Sequence, residues 1–355
     1  MKKILIVLGI AALAVTVSVT AGFARSDKNA ATIQACVLLP DTKSSVRWET
    51  QDRRFLAAAF KAAGVSYSIV NAELDAQRQK SQADQCLTNG AKVILLVNLD
   101  SGSGAAIQKA ATAKGAKVID YDRLTLKGST AYYVSFDNVA VGRLMGQGVV
   151  AGLKANGMYS KKPVVAYLNG SPTDNNAKLF KQGYAGVIDP LIKNGTFKKG
   201  PDQSVPQWDN QKARTIFEQM LVKTGNKIDA VAAANDGLGN AVITALKAKK
   251  LKQIPVSGQD ATAGGIQNVL SGWQAGSVYK SIKLEAEAAA KVAIALIKGQ
   301  PVTGASGKVN DGVRDVPSVL LKPVWITKAN YNVLFQEGFL KKSEVCRGTF
   351  AQYCK

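Results

Sequence analysis

Short apolar runs alternate with amphipathic stretches along nearly the whole chain, from Thr32 onward. Largely apolar strands separated by helices are typical of parallel sheets that are covered on both faces. The pattern therefore predicts an α/β fold. The predicted strands are 32–39, 65–70, 93–97, 117–121, 132–136, 164–168, 230–233, 255–257 and 319–325. The predicted helices are 53–63, 75–89, 108–114, 139–155, a stretch from about 174 to 188, 211–223, 241–249 and 283–298.

The N-terminus has the pattern of an export signal. Two lysines precede an apolar run from Ile4 to about Val19, and small residues follow up to Ala24. This order describes a secretory signal peptide over residues 1–24, because the run is too short for a comfortable membrane span. We therefore expect an exported protein, in the periplasm or on the outer face of the cell envelope. The remaining 355 − 24 = 331 residues exceed what one core usually serves, so we expect two lobes.

Four cysteines in an exported chain predict two disulfides. Cys36 lies in the first predicted strand and Cys86 near the end of the second predicted helix, while Cys346 and Cys354 flank a short loop. Neighbour pairing is the simplest expectation, although the sequence leaves connectivity open. The segment that ends at Cys36 also loosely resembles a lipid-attachment box, so lipid anchoring remains an alternative. Because the chain has no histidine and no Cys-x-x-Cys, we expect no metal site, no cofactor and no histidine-dependent catalysis.

The formal net charge is +21, and removal of Lys2 and Lys3 with the signal leaves 21 − 2 = +19. Such an excess could attract nucleic acid or another anionic surface. The lysines, however, are scattered over helix faces and are not interleaved with aromatic residues, as the four lysines of 247–252 illustrate. Attraction to an anionic cell envelope or simple solvation accounts for the charge, and we expect no nucleic-acid partner.

Polar side chains recur where predicted strands end, which is where ligands bind in open α/β sheets. The fullest cluster is Asp174, Asn175 and Asn176, after strand 164–168 and a strong turn at 169–172. Asp174 could simply cap the following helix, but that leaves the two asparagines unexplained. The whole set of strand-end residues is Arg47, Trp48, Asp122, Arg123, Asp174, Asn176, Trp208, Asn235, Asp236, Asp260 and Lys280.

These side chains suit a neutral polyol. Each sugar hydroxyl both donates and accepts; carboxylates accept, guanidinium and ammonium groups donate, and carboxamides do both. Hydrogen bonds to charged groups contribute about 1.5–3 kcal/mol each, and an indole can cover the C–H face of a sugar ring.

Most members of the set also have a simpler structural interpretation. Asp122 and Arg123 could form a local ion pair, and Asp236 could act only as a helix cap. The tryptophans could be core residues, and Arg47 and Lys280 ordinary solvated charges. The hypothesis therefore depends on the set and not on any one member.

Two segments suggest an internal duplication. Residues 91–100 lead through a helix to 116–122, and residues 227–236 lead through a helix to 254–260. The acids that end each pair of strands are 122 − 100 = 22 and 260 − 236 = 24 positions apart. Two similar halves would let two sets of strand ends face each other across a cleft. Chance similarity between βα units is the alternative.

Several motifs resemble the ribose/galactose-type periplasmic binding proteins of bacterial ABC transporters, and within them the D-xylose-binding members. The resemblance extends from about Ile33 to Val324. The motifs, in order, are DYDR (120–123), VSFDN (134–138), GSPTDNNAKLF (170–180), AND (234–236), SGQDA (257–261), VYK (278–280) and NDGVRDVPS (310–318). The loop at 41–46 and the segment 203–208, where only Trp208 matches, depart from the family pattern.

The resemblance implies a type I periplasmic-binding-protein fold with two Rossmann-like lobes and a three-segment hinge near 137–138, 260–262 and 312–316. It implies an N-terminal lobe of 30–137 plus 262–312 and a C-terminal lobe of 138–261 plus 313–355. Sugar contacts would come from every strand-end residue above except Asp236. Trp48 is the residue whose role the resemblance supports least. The lobes would meet chiefly through bound sugar and close around it.

The implied function is capture of an aldose, D-xylose first, for an ABC permease, with a chemoreceptor as a further candidate partner. Ribose, glucose, galactose and arabinose are alternative ligands. A sugar-modifying enzyme that uses Asp122 and Asp260 as acid and base is the main rival. A sugar-responsive repressor would need a helix-turn-helix before Thr32, where the export signal stands instead. A dinucleotide enzyme would need Gly-x-Gly-x-x-Gly after the first strand, which the chain lacks.

Overall fold

The computed structural model describes residues 32–354, so the predicted signal peptide lies outside the described residues. The strands are β1 (Ala35–Leu39), β2 (Tyr67–Asn71), β3 (Val93–Leu96), β4 (Lys117–Tyr121), β5 (Tyr132–Phe136), β6 (Val164–Asn169), β7 (Lys198–Ser204), β8 (Ala230–Ala233), β9 (Ser277–Tyr279), β10 (Gly307–Asn310), β11 (Asp315–Leu321) and β12 (Val324–Ile326). The helices are α1 (Arg53–Ala62), α2 (Ala76–Thr88), α3 (Ser101–Ala113), α4 (Asn138–Ala155), α5 (Asn175–Lys193), α6 (Asn210–Lys223), α7 (Asp236–Ala248), α8 (Ala263–Ser271), α9 (Ile282–Ile297), α10 (Val333–Gln336) and α11 (Lys342–Val345). None of these helices is both long and apolar enough to cross a membrane.

The first sheet has seven strands in the order β10-β11-β5-β4-β3-β1-β2. Every neighbouring pair is parallel except β10–β11. Its inner strands β1, β3, β4 and β5 are largely apolar and almost entirely buried, because helices cover both faces. In β1, Val37 and Leu39 pack in one cluster with residues of α1 and α9, while Cys36 and Leu38 pack in another with residues of α2 and α3. This alternation is the period of two that a strand imposes.

The second sheet has the order β7-β6-β8 and is also parallel. A separate antiparallel pair, β9–β12, lies beside it, and the bridge Gln259–Val278 extends this part. Helices α4 and α5 approach each other closely across two glycines. A Cβ at Gly142 would lie 2.0 Å from the Phe180 carbonyl oxygen, and one at Gly183 would lie 2.3 Å from that of Val139. Larger residues at these positions would force the two helices apart.

The α/β class and the type I fold expected from the sequence are confirmed, but several elements differ from the prediction. Residues 255–257 form only the bridge Val231–Val256, not a strand. The predicted strand 319–325 is divided between β11 and β12, which belong to different sheets. Helix α3 begins at Ser101, seven residues before the prediction of 108, and β7 and α8 were not predicted.

The predicted lobe boundaries stay a prediction, and the pairing of strands favours later crossings than 262 and 312. Strand β9 pairs with β12, and α8 packs with β9, so residues 263–279 belong with the second lobe. Helix α9 packs on the first sheet, and β11 pairs with β5 in that sheet. We therefore propose crossings near residues 137, 280 and 322.

Both neighbour-paired disulfides are confirmed. Cys36–Cys86 joins β1 to α2, and Cys346–Cys354 closes the C-terminal loop. The first closes a sequence separation of 50 residues and the second one of only 8. Chain-entropy arithmetic therefore gives upper estimates of about 4 and about 2.5 kcal/mol for their stabilisation of the folded state. The thiol of Cys36 is engaged in this bond and is not free for lipid attachment.

Candidate functional site

One pocket between the two lobes brings together all of the residues predicted to contact sugar. The empty space is about 350 Å³, part of it open to solvent. The first lobe supplies residues at the ends of β1 and β4, and the second lobe supplies residues that follow β6, β7 and β8. Lys280 directly follows β9. The predicted residues that line the pocket are Arg47, Trp48, Asp122, Arg123, Asp174, Asn176, Trp208, Asn235, Asp260 and Lys280.

Asp122 lies at the centre of the pocket's charges. It follows β4 with a φ of 63°, a left-handed backbone conformation that is uncommon for a residue other than glycine. The carboxylate accepts hydrogen bonds from Arg47 Nη1 at 2.9 Å and Asn176 Nδ2 at 3.1 Å, and Lys280 Nζ lies 3.5 Å away. Burial alone would raise the pKa of Asp122, but Lys280, Arg47 and Arg123 together lower it to about 2. The side chain is therefore an ionised acceptor at neutral pH.

Arg47 is held by three buried carboxyl groups. Its Nε and Nη2 donate to Asp52 at 2.9 and 2.7 Å, and Nη2 also donates to Glu285 at 2.6 Å. Burial opposes the charge on Arg47, but Asp52, Glu285 and Asp122 raise its pKa well above the ordinary value. Burial raises the pKa of Glu285 to about 8, against the lowering effect of Arg47. This network fixes the guanidinium, whose carbon lies 4.4 Å from the centroid of the Trp48 ring.

Asp174 forms the wall of the pocket in the second lobe. Its carboxylate caps α5 by accepting the Asn176 N–H at 2.9 Å, and it accepts Trp208 Nε1–H at 3.1 Å. The capping interpretation is therefore correct, and the same side chain also lines the pocket. Gly170 makes room for the indole, because a Cβ there would lie 2.0 Å from Trp208 Cη2. Trp208 is thus both a core residue and a pocket residue, as is Trp48.

The lobes touch each other directly at the pocket. Arg123 Nε lies 3.2 Å from an Asp174 carboxylate oxygen, and Asn176 Nδ2 donates to both the carbonyl and the carboxylate of Asp122. The expectation that the lobes meet chiefly through bound sugar is therefore wrong for this closed arrangement. Direct contacts between the two lobes already close one side of the pocket.

Several polar groups in the pocket have no hydrogen-bond partner among residues 32–354. Gln259 Oε1 is buried without a partner. The nearest cation to the Asp260 carboxylate is Lys280, at 3.9 Å, and burial raises the pKa of Asp260. Asp260 also has a φ of 92°, a strained conformation for a non-glycine residue, of the kind that concentrates at ligand clamps. Buried polar groups left without partners indicate where a polar ligand would bind.

Asp236 has a different role from the one expected. The cap of α7 is Asn235, whose Oδ1 accepts the Leu238 N–H at 2.9 Å. The Asp236 carboxylate is instead fully buried and accepts hydrogen bonds from Thr262, Gln274 and Ser277. These bonds tie the start of α7 to the segment that carries Asp260. Burial raises the pKa of Asp236 to about 7.

We predict that the protein becomes less stable as the pH rises from about 5 to 8. Burial raises the folded-state pKa of Asp236 and Asp120 to about 7 and of Glu285 to about 8, so the folded state binds more protons than the unfolded state. This contribution is full below the unfolded pKa values and is lost as the pH rises through the folded ones. For Asp236 alone the loss over this range is about 3 kcal/mol, as an upper estimate.

Thermal unfolding followed by circular dichroism at several pH values would measure this trend. In Asp236→Asn, which cannot ionise at this position, the melting temperature should fall less steeply with pH than in the wild type, whatever its absolute value. A melting temperature that is constant or rises between pH 5 and 8 would contradict the prediction.

Four further residues line the pocket that the strand-end argument did not select: Ser44, Ser45, Phe180 and Gln259. Gln259 and Phe180 lie in the same motifs as Asp260 and Asp174, and this closeness in sequence could have identified them as pocket residues. Ser44 and Ser45 lie in a loop with no periodic pattern, and nothing in the sequence distinguishes them from other loop serines.

Comparison with known proteins agrees with this architecture. Residues 36–301 match the family model described as periplasmic binding protein domain. The chain is 35% identical over 301 residues to the D-xylose-binding periplasmic protein of Escherichia coli, which covers 84% of this chain and 88% of that protein. It is 31% identical over 360 residues to the multiple sugar-binding periplasmic receptor of Rhizobium radiobacter, covering 97% and 99%. The solved structure of a carbohydrate transporter solute-binding protein from Chloroflexus aurantiacus, in complex with D-glucose, has a TM-score of 0.79 at 28% identity and covers 87% of this chain and 97% of that one.

Proposed function

Because this chain belongs to the periplasmic binding protein family, we propose that it is the extracytoplasmic solute-binding protein of an ABC transporter. Its ligand is an aldose monosaccharide, D-xylose first, captured between the two lobes and delivered to a membrane permease. Arg47, Asp122, Arg123, Asp174, Asn176, Asn235, Asp260 and Lys280 supply the polar contacts, and Trp48 and Trp208 the apolar ones.

The balance of charge around the pocket carries this proposal. Its lining has three cations, Arg47, Arg123 and Lys280, and three carboxylates. A pocket with equal numbers of opposite charges does not favour a strongly charged ligand. It does favour a ligand whose groups donate and accept at the same atom, as sugar hydroxyls do. Groups without protein partners, at Asp260 and Gln259, would be satisfied by such hydroxyls.

Closure of the lobes gives the mechanism. Asp122 and Arg123 belong to one lobe and Asp174 and Asn176 to the other, so a ligand that contacts both sets stabilises the closed form in proportion to its preference for that form. Hinge closure of this kind is the transition for which periplasmic binding proteins are a standard example. The contacts Arg123–Asp174 and Asn176–Asp122 would add to the stability of the closed state in the absence of sugar.

A second candidate is a binding protein of broader specificity for aldoses. Two comparisons support it: a relative named for multiple sugars, and a solved structure of similar fold that holds D-glucose. The sugar-modifying enzyme receives no such support, because the relatives reported above are named as binding proteins and a receptor.

Tryptophan fluorescence tests the proposal directly. Trp48 and Trp208 line the pocket, whereas Trp273 lies outside its lining. Titration with D-xylose should give a saturable change that Trp273→Phe retains and Trp208→Phe reduces. The proposal would be overturned if no aldose changed the emission of the folded protein, or if the change were lost only in Trp273→Phe.

A further inference from the structure

The second lobe carries a concentration of unpaired lysines at its pole opposite the pocket. Strands β6 and β8 end at Asn169 and Ala233, shortly before the pocket residues Asp174 and Asn235, so the helices that follow them run away from the pocket. All four major helices of this lobe end with an exposed lysine in the last turn: Lys154 in α4, Lys193 in α5, Lys223 in α6 and Lys247 in α7.

The loops at the same pole add further lysines. Lys161 and Lys162 precede β6, Lys198 and Lys199 begin β7, and Lys227 precedes β8; all are exposed. Residues 249–252, directly after α7, contain three more exposed lysines. Because strands begin where the preceding helices end, these lysines share the pole with the helix-end lysines. We call this set the basic pole.

The basic pole has little compensating charge. Its nearby carboxylates, Asp189 and Asp229, accept hydrogen bonds from the Tyr167 hydroxyl at 2.7 Å and from the Val164 N–H at 2.9 Å. Two ion pairs on α5 and α6 lie in this lobe, Lys181–Asp202 and Arg214–Glu218. Neither includes a lysine of the basic pole. No lysine of the pole forms an ion pair with any residue of 32–354. Such a field attracts an anionic surface.

Apolar and aromatic groups lie among these lysines. Val222, beside Lys223, is 73% exposed. Lys154 Nζ lies 5.0 Å from the Tyr159 ring centroid, and Lys247 Nζ lies 4.8 Å from that of Trp273. Aromatic rings with lysines beside them are typical of groups at the headgroup level of a bilayer.

From this arrangement we propose that the basic pole docks on an anionic phospholipid surface. Clusters of lysine are attracted to anionic lipid headgroups by charge alone, whereas nucleic-acid recognition favours arginine and open aromatic faces. The pole's cations are lysines, and its two rings are partly buried beneath them. Docking leaves the pocket free, because the pocket lies at the opposite end of the lobe.

Co-sedimentation with lipid vesicles tests the proposal. The full-length mature protein should sediment with vesicles containing roughly one third phosphatidylglycerol in phosphatidylcholine, should not sediment with pure phosphatidylcholine, and should be released as salt rises. Each lysine near such a surface adds to the binding free energy. The quadruple variant K247Q/K249Q/K250Q/K252Q should therefore bind the vesicles at least about tenfold more weakly.

The matched control is K61Q/K92Q/K114Q/K117Q, which removes the same charge from exposed lysines at the corresponding end of the first lobe. It should bind vesicles within about threefold of the wild type, since its lysines lie on the other lobe. Equal weakening by both variants would show that net charge alone is responsible and would overturn the proposal. So would equal binding to neutral vesicles, or stronger binding to duplex DNA than to anionic vesicles. Sugar titrations of both variants verify folding and are independent of the result.

Discussion

Replacing Asp260 by alanine is expected to weaken monosaccharide binding by roughly 100-fold. The carboxylate lies in the pocket lining and has no hydrogen bond to any residue of 32–354, with Lys280 Nζ 3.9 Å away. Its acceptor capacity is therefore available to a ligand, and a hydrogen bond to a charged group contributes about 1.5–3 kcal/mol. Isothermal titration calorimetry of wild type and variant against the same aldose measures the difference.

Two variants distinguish loss of contact from loss of folding. Asp84→Ala removes an exposed carboxylate whose partner, Lys80, is equally exposed, and it should leave affinity unchanged. Asp260→Asn keeps the shape but removes the charge, so its affinity should lie between those of the wild type and the alanine variant. Wild-type affinity in a correctly folded Asp260→Ala would remove this residue from the binding site.

Replacing Arg47 by methionine is expected to destabilise the protein by about 3–5 kcal/mol at neutral pH. The substitution leaves Asp52, Asp122 and Glu285 buried without their shared cation. Breaking a buried pair from one side is strongly destabilising, because it leaves uncompensated charge in a low-dielectric environment. Denaturant unfolding gives the free energy. The loss should shrink as the pH falls because Arg47 lowers the pKa of Asp122, whereas Glu285, with a pKa of about 8, is already largely protonated at neutral pH.

Arg53→Met is the matched control. Arg53 pairs with Glu49 one turn away, and both side chains are about one-third exposed, so its removal should change the unfolding free energy by less than about 1 kcal/mol. A similar loss in both arginine variants would show that the buried network around Arg47 stabilises the protein no more than an exposed ion pair does. A loss in Arg47→Met that does not depend on pH would contradict the assignment of charge to its partners.

The sequence predicts the pocket better than it predicts the sheets' edges. The strand-end argument selects Asp122, Asp174 and Asn235 because the carboxyl ends of parallel strands open onto one crevice, whatever the length of the intervening helices. Strand β7 is missed because it is an edge strand whose residues, Lys198–Ser204, are exposed or half-buried and mostly polar. Helix α8 is missed because two adjacent glycines, Gly264 and Gly265, weaken its helical pattern.

Local sequence patterns do not identify contacts between residues that are far apart in the chain. Glu285 lies on the amphipathic helix α9, where an acid normally faces solvent, yet it is fully buried against Arg47, 238 positions earlier. The direct contact of Arg123 with Asp174 likewise depends on how the two lobes are placed. No spacing in the sequence encodes either pair. The crossings that we propose near 280 and 322 likewise rest on strand pairing, which local sequence patterns do not reveal.

We propose that charged and amide side chains from both lobes together enclose one uncharged sugar. Calorimetric titration of the purified protein with D-xylose, ribose, arabinose, glucose and galactose measures this binding. We predict saturable one-to-one binding of at least one of these aldoses, with D-xylose tightest, and no binding of the corresponding sugar acids. The absence of heat with every aldose, from protein that unfolds cooperatively, would contradict the claim, as would binding confined to charged ligands.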